Sequence, residues 1–297
     1  MKILLMLTLS FLVACSSAPK KKQSKKVEDI KQDDFKQIKL VPYDQRDDYF
    51  AQVKSKYTEI SNTESLGRVY EFDGEVELKG VLGKITQLCY EKEFKTAEIL
   101  ISKNNKSYAK NPMFWNMVGS CYLLQDKRRK ALLFYNKALA LKANYAPALN
   151  NLGVMYMREG DYSRALVAFK KAKSSKEYSR TPRYNLSQLY LNFGLYKQAG
   201  QELTTLYSLS RDDIDVLNML ATAYLMSNNI KESLDVYLRV DRDFFEDPKY
   251  GINFALAHYF SGNKERAVDV MEDIDKDKLG VWKEYYYDAA RHIGADI

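Results

Sequence analysis

The fold is decided by residues 149–172, LNNLGVMYMREGDYSRALVAFKKA, because the spacing of large and small side chains in this stretch recurs along most of the chain. Leu152 and Tyr156 lie four residues apart, on one face of a predicted helix. Gly160 can adopt the positive φ of a helix end, and Asp161 can cap the helix that follows. The stretch therefore predicts a hairpin of two helices.

Three columns of similar residues repeat at an interval of 34 in one register. Small side chains form the first column: Ala97, Ala131, Ala165, Ala199, Ser233 and Ala267. Tyrosine dominates the second column: Leu88, Tyr122, Tyr156, Tyr190, Tyr224 and His258. Large side chains form the third: Ile101, Tyr135, Phe169, Leu203, Tyr237 and Met271. One column could arise by chance, but three in a common register indicate a helical solenoid.

Two neighbouring units carry a known repeat signature. Trp115, Gly119, Tyr122, Ala131 and Tyr135 show its tryptophan, glycine, tyrosine, alanine and aromatic positions. The next unit continues the match at Leu149, Leu152, Gly153, Tyr156, Ala165 and Pro182. The chain therefore resembles the tetratricopeptide repeat family.

This resemblance implies an all-α fold, a right-handed α-solenoid of six helix hairpins over residues 78–281. The predicted units begin near Leu78, Pro112, Ala146, Arg180, Ile214 and Pro248. Gly153 and Ala165 are expected to be small because the two helices of a hairpin approach closely there. Helical spacing of Trp282, Tyr285, Tyr286 and Ala289 predicts a C-terminal capping helix within residues 282–297.

The first residues predict export. An apolar run at residues 3–13 follows Lys2 and is too short for a permanent membrane span, which indicates a signal peptide over residues 1–14. The residues ending in Cys15 resemble the bacterial lipobox, which implies cleavage before Cys15 and its lipidation. The alternative is an ordinary signal peptide whose cleavage site precedes a cysteine. Attachment of more than one acyl chain gives stable anchoring.

Ser16 follows the predicted lipidation site, and in bacterial lipoproteins an uncharged residue there implies transfer to the outer membrane. The predicted location is therefore the outer membrane, with the repeats facing the periplasm. Residues 15–46 are rich in lysine and poor in apolar side chains, which predicts a flexible tether. The lysines could contact anionic lipid head groups or form a solvated linker.

The segment before the repeats, residues 47–77, is predicted to be an N-terminal extension or cap. Tyr49, Phe50, Val53 and Tyr57 have the spacing of a short amphipathic helix. The alternating residues on either side of Gly74 would instead fit a β-hairpin. A helix is the preferred interpretation.

Residues that carry out chemistry are scarce. The sequence has no glycine-rich phosphate loop, no helical pair of histidines for a metal and no nucleophile motif, so no enzyme activity, cofactor or metal ligand is predicted. The net charge of +7 is moderate, and the lysines cluster in the tether, which favours a membrane surface over nucleic acid. His258 occupies the tyrosine column and is expected to be a packed core residue.

Cys89 and Cys121 lie in the first helices of consecutive units, 32 residues apart rather than 34. Because they fall at different repeat positions, two buried free thiols are the preferred interpretation. An oxidising periplasm would also permit a disulfide.

The resemblance implies that first helices line a groove that binds segments of other proteins. The predicted groove residues are Asn116, Ser120, Leu123, Asn150, Val154, Met157, Tyr184, Gln188, Leu191, Asn218, Thr222, Leu225, Ile252, Leu256 and Tyr259. Their amides could bond a peptide backbone, and their apolar members could bury its side chains. A basic set that would bind a carboxylate is lacking, because Arg158 is nearly alone, so an apolar or helical segment is the expected ligand. Alternatively, the leucines and Met157 simply pack within the solenoid.

A lipobox followed by six such repeats resembles the pilotin lipoproteins of type IV pilus systems. That resemblance implies a scaffold that brings a secretin to the outer membrane and promotes its assembly. An adaptor that recruits peptidoglycan hydrolases is the alternative in the same compartment. An envelope enzyme is a third possibility, which the absence of a clustered catalytic set disfavours.

Overall fold

The structure is a computed structural model of the chain, and it describes residues 80–174, 180–209 and 211–296. The predicted signal peptide, Cys15, the tether, the extension over residues 47–77 and the start at Leu78 lie outside the described residues. The described residues form thirteen α-helices and three short 3-10 helices, with no strand. None of these helices is both long enough and apolar enough to span a bilayer.

Twelve of the α-helices form six consecutive hairpins. These are α1 Gly80–Tyr90 with α2 Phe94–Asn104, α3 Pro112–Leu124 with α4 Arg128–Leu141, α5 Ala146–Arg158 with α6 Tyr162–Lys173, α7 Arg180–Asn192 with α8 Tyr196–Leu209, α9 Ile214–Met226 with α10 Ile230–Tyr237, and α11 Pro248–Phe260 with α12 Lys264–Asp273. The last α-helix is α13, Lys283–Ile293. Short 3-10 helices at Arg242–Glu246, Lys276–Lys278 and Gly280–Trp282 precede α11 and α13.

The predicted all-α fold of helix hairpins is confirmed. Five hairpins begin at the predicted residues, namely Pro112, Ala146, Arg180, Ile214 and Pro248. All six residues of the small column are fully buried. The described residues divide within α7 into two compact units, residues 80–186 and 187–296.

Each hairpin turns at a residue with positive φ, and these six residues lie 34 apart: Lys92, Asp126, Gly160, Gly194, Asn228 and Gly262. The residue after each of them donates its backbone N–H to a carbonyl of the tyrosine column, as Asp161 does to Tyr156 at 2.9 Å. This bond and the left-handed residue close the first helix. The Asp161 side chain accepts the N–H of Arg164 at 3.0 Å, which caps the second helix as predicted.

The shared turn conformation predicts opposite effects of two substitutions. Lys92→Gly is expected to stabilise the protein slightly, because relief of left-handed strain, about 1–2 kcal/mol, exceeds the entropy cost of glycine, about 0.5–1 kcal/mol. Gly160→Ala is expected to destabilise it by about 1 kcal/mol. A Cβ on Gly160 would meet nothing within 4 Å, so the loss of stability in Gly160→Ala comes from the left-handed backbone conformation and not from a steric clash. Urea unfolding curves measure both, and shifts of the same sign would contradict the shared turn.

The two helices of a hairpin approach most closely at a glycine of the first helix. A Cβ built on Gly153 would lie 2.5 Å from Cε1 of Phe169, and one on Gly119 would lie 2.7 Å from the Tyr135 ring. Both rings are fully buried members of the third column. The prediction that Gly153 is small because two helices meet there is therefore confirmed.

Cys89 on α1 and Cys121 on α3 form a disulfide, with the Cα atoms 5.2 Å apart. The preference for two free thiols is therefore wrong, although both residues are buried as predicted. Side chains at equivalent positions of successive repeats point in the same direction. The position equivalent to Cys89 is residue 123, so Cys121 lies two residues before it. Because each residue turns a helix by about 100°, that offset rotates the side chain by about 200°. Cys121 therefore points back toward α1, and the offset that argued against a bridge permits it.

The last helix covers the end of the sixth hairpin. Buried side chains on one face of α13 include Tyr285, Tyr286 and Ala289, as the helical spacing predicted. The Tyr286 hydroxyl donates to the carbonyl of Met271 on α12 at 3.2 Å. Gly294, with φ 77, ends the helix in a left-handed conformation.

Candidate protein-binding surface

All fifteen predicted groove residues lie on first helices of hairpins, but most are not open to solvent. Twelve of them are buried. Gln188 and Leu191 on α7 and Tyr259 on α11 are partly exposed. These three are therefore the predicted groove residues most accessible to a partner in this structure.

In the unit formed by residues 80–186, the buried amides of the first helices bond to one another. Asn151 Nδ2 donates to Asn116 Oδ1 at 3.0 Å and to Ser120 Oγ at 3.2 Å. Asn185 Nδ2 donates to Asn150 Oδ1 at 2.8 Å, and Asn150 Nδ2 donates to Asn151 Oδ1 at 3.3 Å. The ladder joins α3, α5 and α7. Buried amides must be hydrogen-bonded, so it fixes the relative position of these helices.

The unit formed by residues 187–296 contains a network built the same way. Asn253 Nδ2 donates to Thr222 Oγ1 at 3.1 Å, and the Tyr237 hydroxyl donates to Asn218 Oδ1 at 3.2 Å. The Tyr285 hydroxyl donates to Asn253 Oδ1 at 2.6 Å. The network thus links α9, α10, α11 and the final helix α13.

These networks give the predicted polar groove residues a structural role. Asn116, Ser120, Asn150, Asn218 and Thr222 bond side chains or backbone of neighbouring helices, so they hold the array together. Their predicted role in binding a peptide backbone stays a prediction, and a peptide would have to replace bonds that already exist. Among the predicted apolar members, Leu123, Met157 and Leu225 are likewise buried.

A hydroxyl pair inside the second hairpin gives a test of this network. Ser120 Oγ and the Tyr135 hydroxyl share a hydrogen bond of 3.1 Å, whereas the third hairpin has Val154 and Phe169 at the same positions. Tyr135→Phe and Ser120→Val are each expected to cost about 1–2 kcal/mol. The double variant is expected to lose less than the sum of the two costs, because both substitutions remove the same hydrogen bond. Urea unfolding of the parent, the two single variants and the double variant measures this coupling. Strictly additive losses of stability would contradict the hydrogen bond between the two hydroxyls.

Asn151, Asn185, Asn253 and Tyr285 belong to the networks and were missed by the sequence prediction. A signal for them existed in the repeats. Ser120, Tyr135 and Asn151 recur 102 residues later as Thr222, Tyr237 and Asn253. Since 102 is three repeat lengths, the same three polar residues occur twice, each time with two in one repeat and the asparagine in the next, which indicates mutual contact.

Charged side chains cluster where α4 begins and α5 ends. Arg128 and Arg158 are both buried, and an Arg128 nitrogen lies 3.0 Å from Asp126 Oδ1. Burial lowers the pKa of Arg128 to about 10, and the charge of Arg158 adds to this effect. Burial raises the pKa of Glu159 to about 7, against the opposing charges of Arg128 and Arg164. The expectation that Arg158 has almost no other basic side chain near it was therefore wrong, because the packing of α4 against α5 brings Arg128 close to Arg158.

A partly buried ion pair joins the fifth and sixth hairpins. Asp215, in the first turn of α9, accepts hydrogen bonds from Lys249 Nζ and from the Tyr250 hydroxyl. Burial is the largest influence on the pKa of Lys249 and acts to lower it. The charges of Asp215 and Tyr250 and the hydrogen bonds to both side chains together outweigh burial, so the pKa is raised. Burial, followed by the Asp215 charge, raises the pKa of Tyr250 to about 12. At neutral pH, Lys249 is therefore positively charged and Tyr250 keeps its hydroxyl proton, which it donates to Asp215.

Among the residues that the structure describes, no three His, Cys, Asp or Glu side chains are grouped to hold a metal ion. His258 is half-buried, and its ring lies edge-on to Phe254 with the centroids 4.6 Å apart. Burial lowers the pKa of His258, and the charge of Arg266 adds to this effect. His258 thus packs as an aromatic residue of the sixth hairpin.

Comparison with known proteins agrees with this geometry. The tetratricopeptide repeat family model matches residues 114–145 and 146–178. The first range covers the hairpin α3/α4 except its first two residues, and the second range contains the hairpin α5/α6. No curated protein sequence matches the chain.

Three solved structures share the fold at low sequence identity. YrrB, described as a TPR protein with an unusual peptide-binding site, is 18% identical with a TM-score of 0.54, and the match covers 65% of this chain and 96% of YrrB. PilF of Pseudomonas aeruginosa is 14% identical with a TM-score of 0.59, and the match covers 70% of this chain and 96% of PilF. PilW, described as a widely conserved type IV pilus biogenesis factor, is 17% identical with a TM-score of 0.53. The match covers 69% of this chain and 99% of PilW. Residues 114–178 of this chain are therefore tetratricopeptide repeats, and the described hairpins share the fold of YrrB, PilF and PilW.

Proposed function

We propose that this chain is an exported scaffold lipoprotein that binds another protein of the cell envelope through the first helices of its repeats. The array of helix hairpins carries the proposal, because repeats of this fold present consecutive helices as a surface for protein partners. The partly exposed Gln188, Leu191 and Tyr259 are the candidate contacts. Their mixture of amide, aliphatic and aromatic groups suits an apolar or helical segment of a partner.

The Cys89–Cys121 disulfide supports export. Disulfides persist in oxidising compartments such as the bacterial periplasm and are rare in the cytosol. This support is independent of the signal peptide and of the lipobox at Cys15. The proposed location is the outer membrane, with the acyl chains at Cys15 as the anchor and the repeats in the periplasm.

The partner we propose is a secretin, which would make the chain a pilotin of a type IV pilus system. Two features support this proposal: the lipobox followed by repeats, and the fold shared with PilF and PilW. Loss of the protein should then reduce the detergent-resistant secretin multimer in the outer membrane. Normal secretin multimers together with altered release of peptidoglycan fragments would favour the hydrolase adaptor instead.

The anchor is tested by Cys15→Ala. The variant is expected to keep its helical circular dichroism and to move from the membrane fraction to the soluble periplasmic fraction, because the acyl chains can no longer attach. Ser16→Ala serves as the matched control and should stay with the membrane. Retention of the Cys15→Ala protein in the outer membrane would contradict lipid anchoring.

A further inference from the structure

We propose that the second helices α2, α4 and α6 present a basic face that binds the surface of an anionic phospholipid membrane. This basic face is defined by residues of α2 and α4, all of them exposed, and by the partly exposed Lys171 of α6. The residues of α2 and α4 are Lys95, Ile99, Lys103, Arg129, Leu133 and Lys137. The basic face lies within the unit of residues 80–186, on helices other than those of the predicted groove. The proposal does not depend on lipidation of Cys15 or on the identity of the protein partner.

The charge on these three helices is almost entirely of one sign. Together they contain ten lysine or arginine residues and one acidic residue, Glu98, whereas α4 and α6 contain no acidic residue at all. Glu98 lies 3.6 Å from Lys127 Nζ, so its charge is already paired. An excess of this size on adjacent helices produces a positive potential that attracts an anionic surface.

The repeat register aligns these charges. Lys103, Lys137 and Lys171 occupy one position of three consecutive repeats, each 34 residues after the last. Equivalent positions in stacked repeats project in nearly the same direction, so the three ammonium groups form a row. In the fourth, fifth and sixth repeats this position holds Thr205, Arg239 and Asp273, so only the first three repeats have a continuous row of lysines.

The unit of residues 187–296 provides an internal comparison. Its second helices α8, α10 and α12 contain four basic and seven acidic residues. Asp235 and Asp269 occupy the repeat position at which α2 and α4 have Ile99 and Leu133. One unit thus has apolar side chains at the position where the other unit has carboxylates. The basic excess is therefore a property of one part of the chain.

Aromatic rings hold two of the lysines over the second hairpin. Trp115 and Phe134 stack with centroids 5.5 Å apart, and Phe134 stacks on Tyr122 at 5.4 Å. Lys137 Nζ lies 3.3 Å from the Trp115 ring centroid, and Lys130 Nζ lies 4.9 Å from that of Tyr122. Cation–π contacts of this kind reduce the freedom of the ammonium groups without removing their charge. The cations are thus partly ordered before a ligand binds.

Exposed apolar side chains between the cations favour lipid over nucleic acid. Ile99 is 70% exposed and Leu133 is 55% exposed, and they occupy equivalent positions on α2 and α4. Surfaces that bind bilayers combine cations, which attract anionic head groups, with apolar side chains that enter the head-group region. A nucleic-acid backbone offers phosphates for the cations but no apolar layer for Ile99 and Leu133.

The test uses the full chain with Cys15→Ala, so that no acyl chain contributes, and vesicles of phosphatidylcholine with or without phosphatidylglycerol. Because the N-terminal residues could bind vesicles by themselves, the readout must be resolved by position. A photoactivatable phosphatidylglycerol is included, and the labelled peptides are identified by mass spectrometry. The charge variant carries Lys103→Gln, Arg129→Gln and Lys137→Gln. The matched control removes three exposed lysines from the other unit: Lys197→Gln, Lys231→Gln and Lys264→Gln.

Labelling is expected on α2 and α4 only in vesicles that contain phosphatidylglycerol. It should fall at least about tenfold in the charge variant, because each cation near an anionic surface contributes about 1 kcal/mol. The control variant should be labelled like the parent. Equal labelling of α8 and α10, or an unchanged charge variant with a normal melting curve, would overturn the proposal. Binding to a DNA duplex as tight as to the vesicles at the same salt concentration would overturn the choice of lipid.

Discussion

Gly153→Trp is expected to destabilise the third hairpin by about 3 kcal/mol or more, because the first and second helices have no room for a side chain at their closest approach. Even a methyl group at this position would lie 2.5 Å from the Phe169 ring, a distance that real Cβ atoms essentially never show. The ring is fully buried among other core side chains, so it cannot swing into solvent. The helices must separate, and the contacts between them are lost.

The smaller change Gly153→Ala has a matched control in Gly200→Ala. Gly200 lies inside α8, and a Cβ built on it would meet nothing within 4 Å. Alanine should therefore stabilise the protein at residue 200 by up to about 1 kcal/mol, the usual gain in helix propensity, and destabilise it at residue 153. Urea unfolding followed by circular dichroism measures both. Stabilisation by both alanines would show that the Gly153 contact is not tight.

The fourth repeat suggests a rescue for the third. At the positions of Gly153 and Phe169 it has Ser187 and Leu203, both fully buried. Gly153→Ser combined with Phe169→Leu is therefore expected to be more stable than Gly153→Ser alone, because the shorter side chain makes space for the serine. Failure of Phe169→Leu to relieve any of the loss would mean that the ring is not the obstacle.

Removal of the Cys89–Cys121 disulfide is expected to have the second large effect. The bridge closes a loop of 32 residues. In the chain-entropy model, a disulfide that closes a loop of about 15 to 100 residues stabilises the folded protein by about 3–4.7 kcal/mol. Cys89→Ala with Cys121→Ala should therefore lower the melting temperature, and dithiothreitol should lower that of the parent in the same way. Dithiothreitol should not change the melting of the double variant, which is the control.

The loss should also be local. Repeats contact only their neighbours, so the bridge between α1 and α3 stabilises the first two hairpins more than the rest. Hydrogen exchange should increase in α1 and α2 of the reduced protein and remain unchanged in α11 and α12. Equal melting of oxidised and reduced parent protein would contradict a stabilising bridge.

The repeat boundaries were predictable because one physical requirement recurs six times. The interval between Ala131, Ala165 and Ala199 marks where helices must approach closely, and any slip in register would place a large side chain there. Gly160 and Asp161 likewise marked a turn and a cap, which the structure shows at those residues. These features are local or strictly periodic, so a single sequence reveals them.

The disulfide and the amide ladders were not predicted, because they depend on contacts between non-equivalent positions. Cys121 faces Cys89 through a two-residue offset, and Asn151 reaches Asn116 through 35 residues rather than 34. Asparagine on a first helix also looks like an exposed binding residue until its neighbours are known. In this fold a first helix lies between two other first helices, so Asn150 and Asn151 become buried. The accessible part of the predicted groove was therefore overestimated.

The most direct test of the central claim is photo-cross-linking in cells from residue 191, where a photoreactive amino acid replaces the partly exposed Leu191 of α7. Thr204, exposed on the second helix of the same hairpin, provides the matched control. The proposal predicts that residue 191 captures a secretin, identified by mass spectrometry, and that residue 204 does not. Absence of any captured envelope protein at residue 191, or the same products from both positions, would contradict binding through the first helices.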